Sequence, residues 1–147
     1  MKKYSFLLVS IVILIVFMIS DAQLSNNYKI IVNSSNSVSK ISREDLSKIF
    51  LKKITSWKNG DEIHPVDLVY DSPVRKQFSN EVHQRPVSKV KAYWRMQIFS
   101  GKSIPPPQLD FEEDVMSFVK SDPGAIGYLS SGTSINQSRI KIVSITE

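Results

Sequence analysis

The spacing of apolar residues changes period several times along this chain, and each change marks an element. Tyr28-Lys29-Ile30-Ile31-Val32 is a β-rich run and predicts a first strand. Asn33 to Lys40 is a Ser/Asn loop. Ser42-Arg43-Glu44-Asp45 resembles a capping box, and Leu46, Ile49 and Phe50 follow at helical spacing. Asn59-Gly60 marks a turn, and Val66 to Tyr70 predicts a second strand. Val74, Phe78 and Val82 place a helix from Pro73 to about His83. A third helix starts at Arg85-Pro86, buries the stripe Val87, Val90, Trp94 and Ile98, and ends at Gly101. Pro105-Pro106-Pro107 is a stiff linker. Asp110 and Glu113 frame a fourth helix carrying Val115, Phe118 and Val119. A turn at Asp122-Pro123-Gly124 precedes strands over Ala125–Leu129 and Ile140–Ile145. Strands and helices intermix, which predicts an α/β domain with a small mixed sheet flanked by about four helices.

The most specific local signal is Val69-Tyr70-Asp71-Ser72-Pro73-Val74-Arg75. It predicts a buried strand that turns into a helix, with Ser72 as N-cap and Pro73 at the first helical position. Such a start presents free N–H groups and the positive end of the helix dipole, a ready-made anion site. Arg75 adds charge within the first turn. Ser34, Ser35 and Ser37 offer further hydroxyls, although loop serines commonly serve as turn formers.

The N-terminus reads differently. Met1-Lys2-Lys3 precedes an apolar run from Phe6 to Ile19, and Ser20-Asp21-Ala22 supplies small residues at a cleavage site. This predicts a secretory signal peptide over residues 1–22 and a single domain over residues 23–147. A retained anchor is the rival reading. As a helix, however, the run rises about 21 Å, short of the roughly 30 Å hydrocarbon core. There is no cysteine, which excludes disulfides and thiolate chemistry. The net charge of +5 is dispersed, which suits a small anion better than nucleic acid. These features together fit a soluble bacterial periplasmic protein.

No constellation supports catalysis. Ser100-Gly101-Lys102-Ser103 mimics the end of a phosphate loop, but Met96 replaces its first glycine and prolines follow. His64 and His83 have no carboxylate at i+4 and are expected to be solvated, so neither a metal nor a cofactor is called for. Glu112-Glu113-Asp114 suits a helix dipole rather than acid/base work. Trp94 is expected in the core, with Tyr93 off the stripe and exposed beside Arg95 for a protein partner.

These pieces, in order, resemble the periplasmic phosphate-binding proteins, the substrate-binding subunits of phosphate ABC transporters, and in particular their small single-lobe members. Leu46-Ser47-Lys48-Ile49-Phe50 and Trp57 are similar to the family's "L-x-x-IF-x-GK-x-x-x-W", and Pro123-Gly124-Ala125-Ile126-Gly127-Tyr128 to its "GAIGY". Val32 to Ser39 resembles its first strand and Asn/Ser loop. Tyr93-Trp94 with Phe99-Ser100-Gly101 resembles the single-lobe members. Asp71-Ser72-Pro73-Val74 lies where the family carries "R-x-D-G-S-G-T". Leu68 replaces the Arg, Tyr70 the Asp, and Pro73-Val74 the Gly-Thr, while Lys52 stands at the glycine of "GK". Only Ser72 carries over, with Arg75 as substitute charge.

The resemblance implies one lobe of type 2 and a non-enzymatic role in transport. Phosphate or a similar oxyanion would be bound weakly at a helix N-terminus by Ser72 and Arg75, with Ser34, Ser35 and Ser37 on the same open face. A homodimer, a membrane transporter or a sensor would complete that face. The alternative is an interaction module with a degraded ligand site that docks on such a transporter or sensor.

Overall fold

The computed structural model describes residues 27–135 and 138–147. The expected signal segment lies outside the described residues. Strands β1 (Tyr28–Asn33), β2 (Lys40–Ser42), β3 (His64–Pro65), β6 (Ala125–Ser130) and β7 (Ile140–Thr146) form one sheet in the order β2-β7-β1-β6-β3. β1 runs antiparallel to both β6 and β7, while β2 is parallel to β7 and β3 to β6. β4 (Asp67–Leu68) and β5 (Gln108–Leu109) make a separate parallel pair. The helices are α1 (Arg43–Phe50), α2 (Pro73–Val82), α3 (Val87–Phe99) and α4 (Glu112–Ser121). The mixed α/β class and the four flanking helices match the expectation.

Local chemistry explains the boundaries. Ser42 caps α1 by accepting from the Asp45 N–H at 3.0 Å. Gly60 and Gly101 hold positive φ at the turn and helix end where glycine was expected. The second predicted strand is shorter and split: Val66 lies between β3 and β4, because the chain leaves β6 there and pairs with β5 instead. α4 starts without the expected Asp110 cap. Its Glu112 carboxylate instead accepts from the Ser130 N–H at 3.1 Å and from the Thr133 hydroxyl.

One core holds the sheet against α1, α2 and α4. Phe78 of α2 stacks on Tyr128 of β6 with centroids 4.0 Å apart and meets Phe50 of α1 edge-on at 4.9 Å. Gly127 lets α4 approach β6, since a Cβ there would lie 2.6 Å from Val115 Cγ1. α3 stands apart from this core. Only its Val90 and Trp94 are buried, in a satellite cluster with Leu51. Ile98, assigned to the buried stripe, is 54% exposed, because α3 packs on Leu51 and against α2 rather than on the sheet. Tyr93 corrects another expectation. It is half-buried, and its hydroxyl donates to the Leu51 carbonyl at 3.1 Å.

Candidate functional site

α2 begins as expected, with Ser72 as N-cap and Pro73 in the first turn. The Ser72 hydroxyl accepts from the Arg75 N–H at 3.4 Å, so one of the first-turn donors is engaged within the helix. The hollow beside this start is lined by Ser72, Thr133 and the acids Asp110, Glu112 and Glu113. Three carboxylates around a helix N-terminus complement its dipole and oppose a second anion.

Arg75 points the other way. Its guanidinium is 1% exposed and pairs with Asp67, itself 2% exposed. Nη1 also donates to the Leu68 carbonyl at 3.4 Å. The Tyr128 hydroxyl donates to the same Asp67 carboxylate and accepts from the Leu68 N–H at 3.3 Å. Burial raises the Tyr128 pKa, against the lowering charge of Arg75, and keeps the phenol a donor. Burial also pushes the Arg75 pKa down, but an arginine starts so high that it stays charged beside the carboxylate. The sequence signal for this pair was Asp67, a lone acid inside the apolar run Val66 to Val69.

The serine loop lies elsewhere. Ser72 sits at the end of the sheet where β6 stops, since the Thr133 of its hollow bonds the Ser130 hydroxyl at 2.7 Å, and Ser130 pairs with Tyr28 at the start of β1. Ser34, Ser35 and Ser37 follow the other end of β1, and the Ser34 N–H donates to the Arg139 carbonyl at 3.0 Å. The six residues of β1 separate the two groups by about 17 Å. The single open face expected to hold both is therefore corrected: they cannot share one small anion.

The loop is well held at its base. Asn33, 7% exposed, donates to the Val119 and Lys120 carbonyls at 2.9 and 3.1 Å. Its side-chain oxygen accepts from the Ser35 hydroxyl at 2.7 Å. Ser34 remains exposed. Ser37 lines a groove of about 540 Å³ along β2, together with Ser39, Ser42, Ser56 and Thr146. The Ser42 hydroxyl is engaged as the α1 cap, and that of Thr146 donates to the Ile41 carbonyl at 3.5 Å. Lys40 and Lys58 line the same groove against one carboxylate, Asp45, and Trp57 supplies an aromatic wall. The size is that of a small-ligand site, and the charge favours an anion. Periodicity does not reveal this groove, because β2 is three residues long and carries no strand signature.

The histidines depart from expectation. His83 is 6% exposed, not solvated. Its Nδ1 meets the Ser47 hydroxyl at 2.9 Å, and its ring packs edge-on against Phe78. Burial, with the charges of Arg75 and Arg85, lowers its pKa to about 4. His64 is partly exposed and bonds Asp122 at 2.7 Å. Partial burial opposes its charge, but Asp122 and Glu62 outweigh this and raise its pKa. Among the described residues no group of three or more His, Cys, Asp or Glu side chains is placed to hold a metal.

The five-stranded mixed sheet with its four flanking helices matches a lobe of the PBP type. The family model of the PBP superfamily domain matches residues 25–146, and the chain belongs to that family. No curated protein matches the chain. An ABC-type phosphate transport receptor from Vibrio cholerae is similar in structure, with a TM-score of 0.64 at 23% identity, over 81% of this chain and 46% of that one. A protein of Clostridium perfringens described as a phosphate ABC transporter substrate-binding protein, solved with bound phosphate, gives 0.63 at 20% identity, over 81% and 44%. PstS from Borrelia burgdorferi gives 0.57 at 16% identity, over 81% and 47%. The chain thus spans about half the length of these structural neighbours.

Proposed function

We propose that this domain is an exported solute-binding module that holds phosphate or a similar oxyanion weakly, with a second surface completing the site. The observation that carries the reading is the groove along β2, whose lining includes Ser37, Ser39 and Ser56, two lysines and a single carboxylate. Ser37, with Ser34 and Ser35 beside it, belongs to this seat. Ser72 and Arg75 do not, since three acids flank the first and Asp67 occupies the second. Half of a two-lobed binder leaves its anion partly solvated, where each hydrogen bond contributes only about 0.5–1.5 kcal/mol. The expected affinity is therefore millimolar, about −4 kcal/mol.

No helix among the described residues is long and apolar enough to cross a membrane. Export and cleavage after Ala22 rest on the charged and apolar N-terminal pattern, and an intact Met1 on the exported protein by mass spectrometry would overturn the cleavage.

The ligand test uses Trp57, which lines the groove. In a Trp94→Phe background its fluorescence should respond to phosphate at millimolar concentration, and Lys40→Ala with Lys58→Ala should abolish the response. A response that survives this double variant but is lost in Ser72→Ala would return the site to α2. The second reading, a ligandless interaction module, draws on the carboxylates at the α2 start. It predicts no response to phosphate or sulfate in any variant.

A further inference from the structure

The segment 82–109, which contains α3, carries five cations, Arg85, Lys89, Lys91, Arg95 and Lys102, and no acid. α3 buries Val90 and Trp94 and turns the opposite side outward. At 100° per residue that outward side carries Lys89, Ala92, Arg95, Met96 and Phe99. Met96 is 72% exposed and Phe99 96%, and Ile104 in the turn beyond Gly101 is 68% exposed. Beside them a shallow hollow is lined by Arg85, Lys89, Tyr93 and Met96. A helix whose unpacked side mixes exposed apolar residues with cations has a second medium to meet.

We propose that this face seats the domain on an anionic lipid surface. Phe99, Met96 and Ile104 enter the interface, and Arg85, Lys89, Arg95 and Lys102 meet headgroup phosphates. Cations flanking protruding aromatic and aliphatic side chains are the composition of an interfacial helix. A second copy is the wrong occupant. A twofold interface sets a patch against itself, and here that would bring cations together with no acid to offset them. A protein partner needs matching shape, whereas these apolar side chains project from a helix end and a turn rather than lining a deep groove. A bilayer needs no such match.

The absence of cysteine makes the test clean. A nitroxide label is attached to the full-length Met96→Cys chain and, separately, to Asn80→Cys, an exposed position on α2. Each is mixed with vesicles of phosphatidylglycerol and phosphatidylcholine in equal parts, or of phosphatidylcholine alone. The label at 96 should gain oxygen accessibility and lose access to a water-soluble nickel complex on the anionic vesicles only. The label at 80 should stay aqueous on both. Phe99→Asp, or Lys89→Gln with Arg95→Gln, should each return the label at 96 to water. The N-terminal segment is the same in every variant, so a difference among the variants reports on the substituted residues.

A label at 96 that stays aqueous on anionic vesicles overturns the proposal and gives the face to a protein. So does one already shielded without lipid, which would mean cover by the chain's own N-terminal segment. Coupling between labels of two chains would mean a dimer and overturns it equally.

Discussion

Arg75 decides whether the start of α2 is a binding site or a structural joint, and Arg75→Met asks the question directly. Methionine keeps most of the side-chain volume and removes the charge together with the donor to the Leu68 carbonyl. Asp67 is then left 2% exposed, with the Tyr128 hydroxyl and the Leu68 N–H as its remaining donors. An uncompensated buried charge costs about 3–5 kcal/mol, a large part of the roughly 5–15 kcal/mol that holds a domain folded. With a urea slope of about 1.5 kcal/mol per molar, the midpoint should fall by about 2–3 M. Adding Asp67→Asn removes the orphaned charge and should recover a substantial part of the loss. Urea unfolding followed by circular dichroism reads both variants. If Arg75→Met unfolds within about 1 kcal/mol of wild type and loses oxyanion binding, the guanidinium faces a ligand and the reasoning fails.

Two further perturbations test the core and its titration. His83 should make the fold acid-sensitive. Its pKa of about 4 lies below the unfolded value of about 6.5, so the unfolded state takes the proton first, and stability is lost as pH falls through that window, by about 3 kcal/mol in all. His64 is shifted upward and contributes with the opposite sign, so the quantity to measure is the difference between wild type and His83→Gln, which should move by about 3 kcal/mol against the wild type between pH 7 and pH 4. Gly127→Ala drives a methyl to 2.6 Å from Val115 and 3.1 Å from Val66, and should destabilise by about 1–3 kcal/mol in thermal unfolding. A neutral substitution there would mean that α4 packs more loosely against β6 than described.

Much of the fold was legible because it rests on local rules. The β-rich run of β1, the Ser72-Pro73 start and the helix-ending Gly101 act within a few residues, and each appears where expected. The glycines of the Gly124-Ala-Ile-Gly127-Tyr signature have packing reasons, contact with the Glu62 carbonyl for one and with Val115 for the other. What escaped depends on distant partners. Arg75 lies in register with Phe78 and Ser79 on the buried side of α2, but only Asp67, across the turn, makes its burial tolerable. His83 looked solvated because Ser47 and Phe78 meet it through tertiary packing. Ile98 looked buried because its spacing was right, yet no sheet lies beneath α3. The groove combines β2, the loop after β1 and the turn around Trp57, three segments that no periodicity connects.

The most direct measurement is a phosphate titration of the isotopically labelled protein, followed through its backbone amide resonances and paired with a measurement of its oligomeric state. The account predicts a millimolar dissociation constant for the monomer, with the largest shifts at Ser37, Lys40, Ser56 and Lys58 and small ones at Ser72 to Arg75. Submicromolar binding by a demonstrated monomer would contradict it, because one open lobe would then desolvate the anion unaided. Shifts centred on the first turn of α2 would contradict the placement of the site.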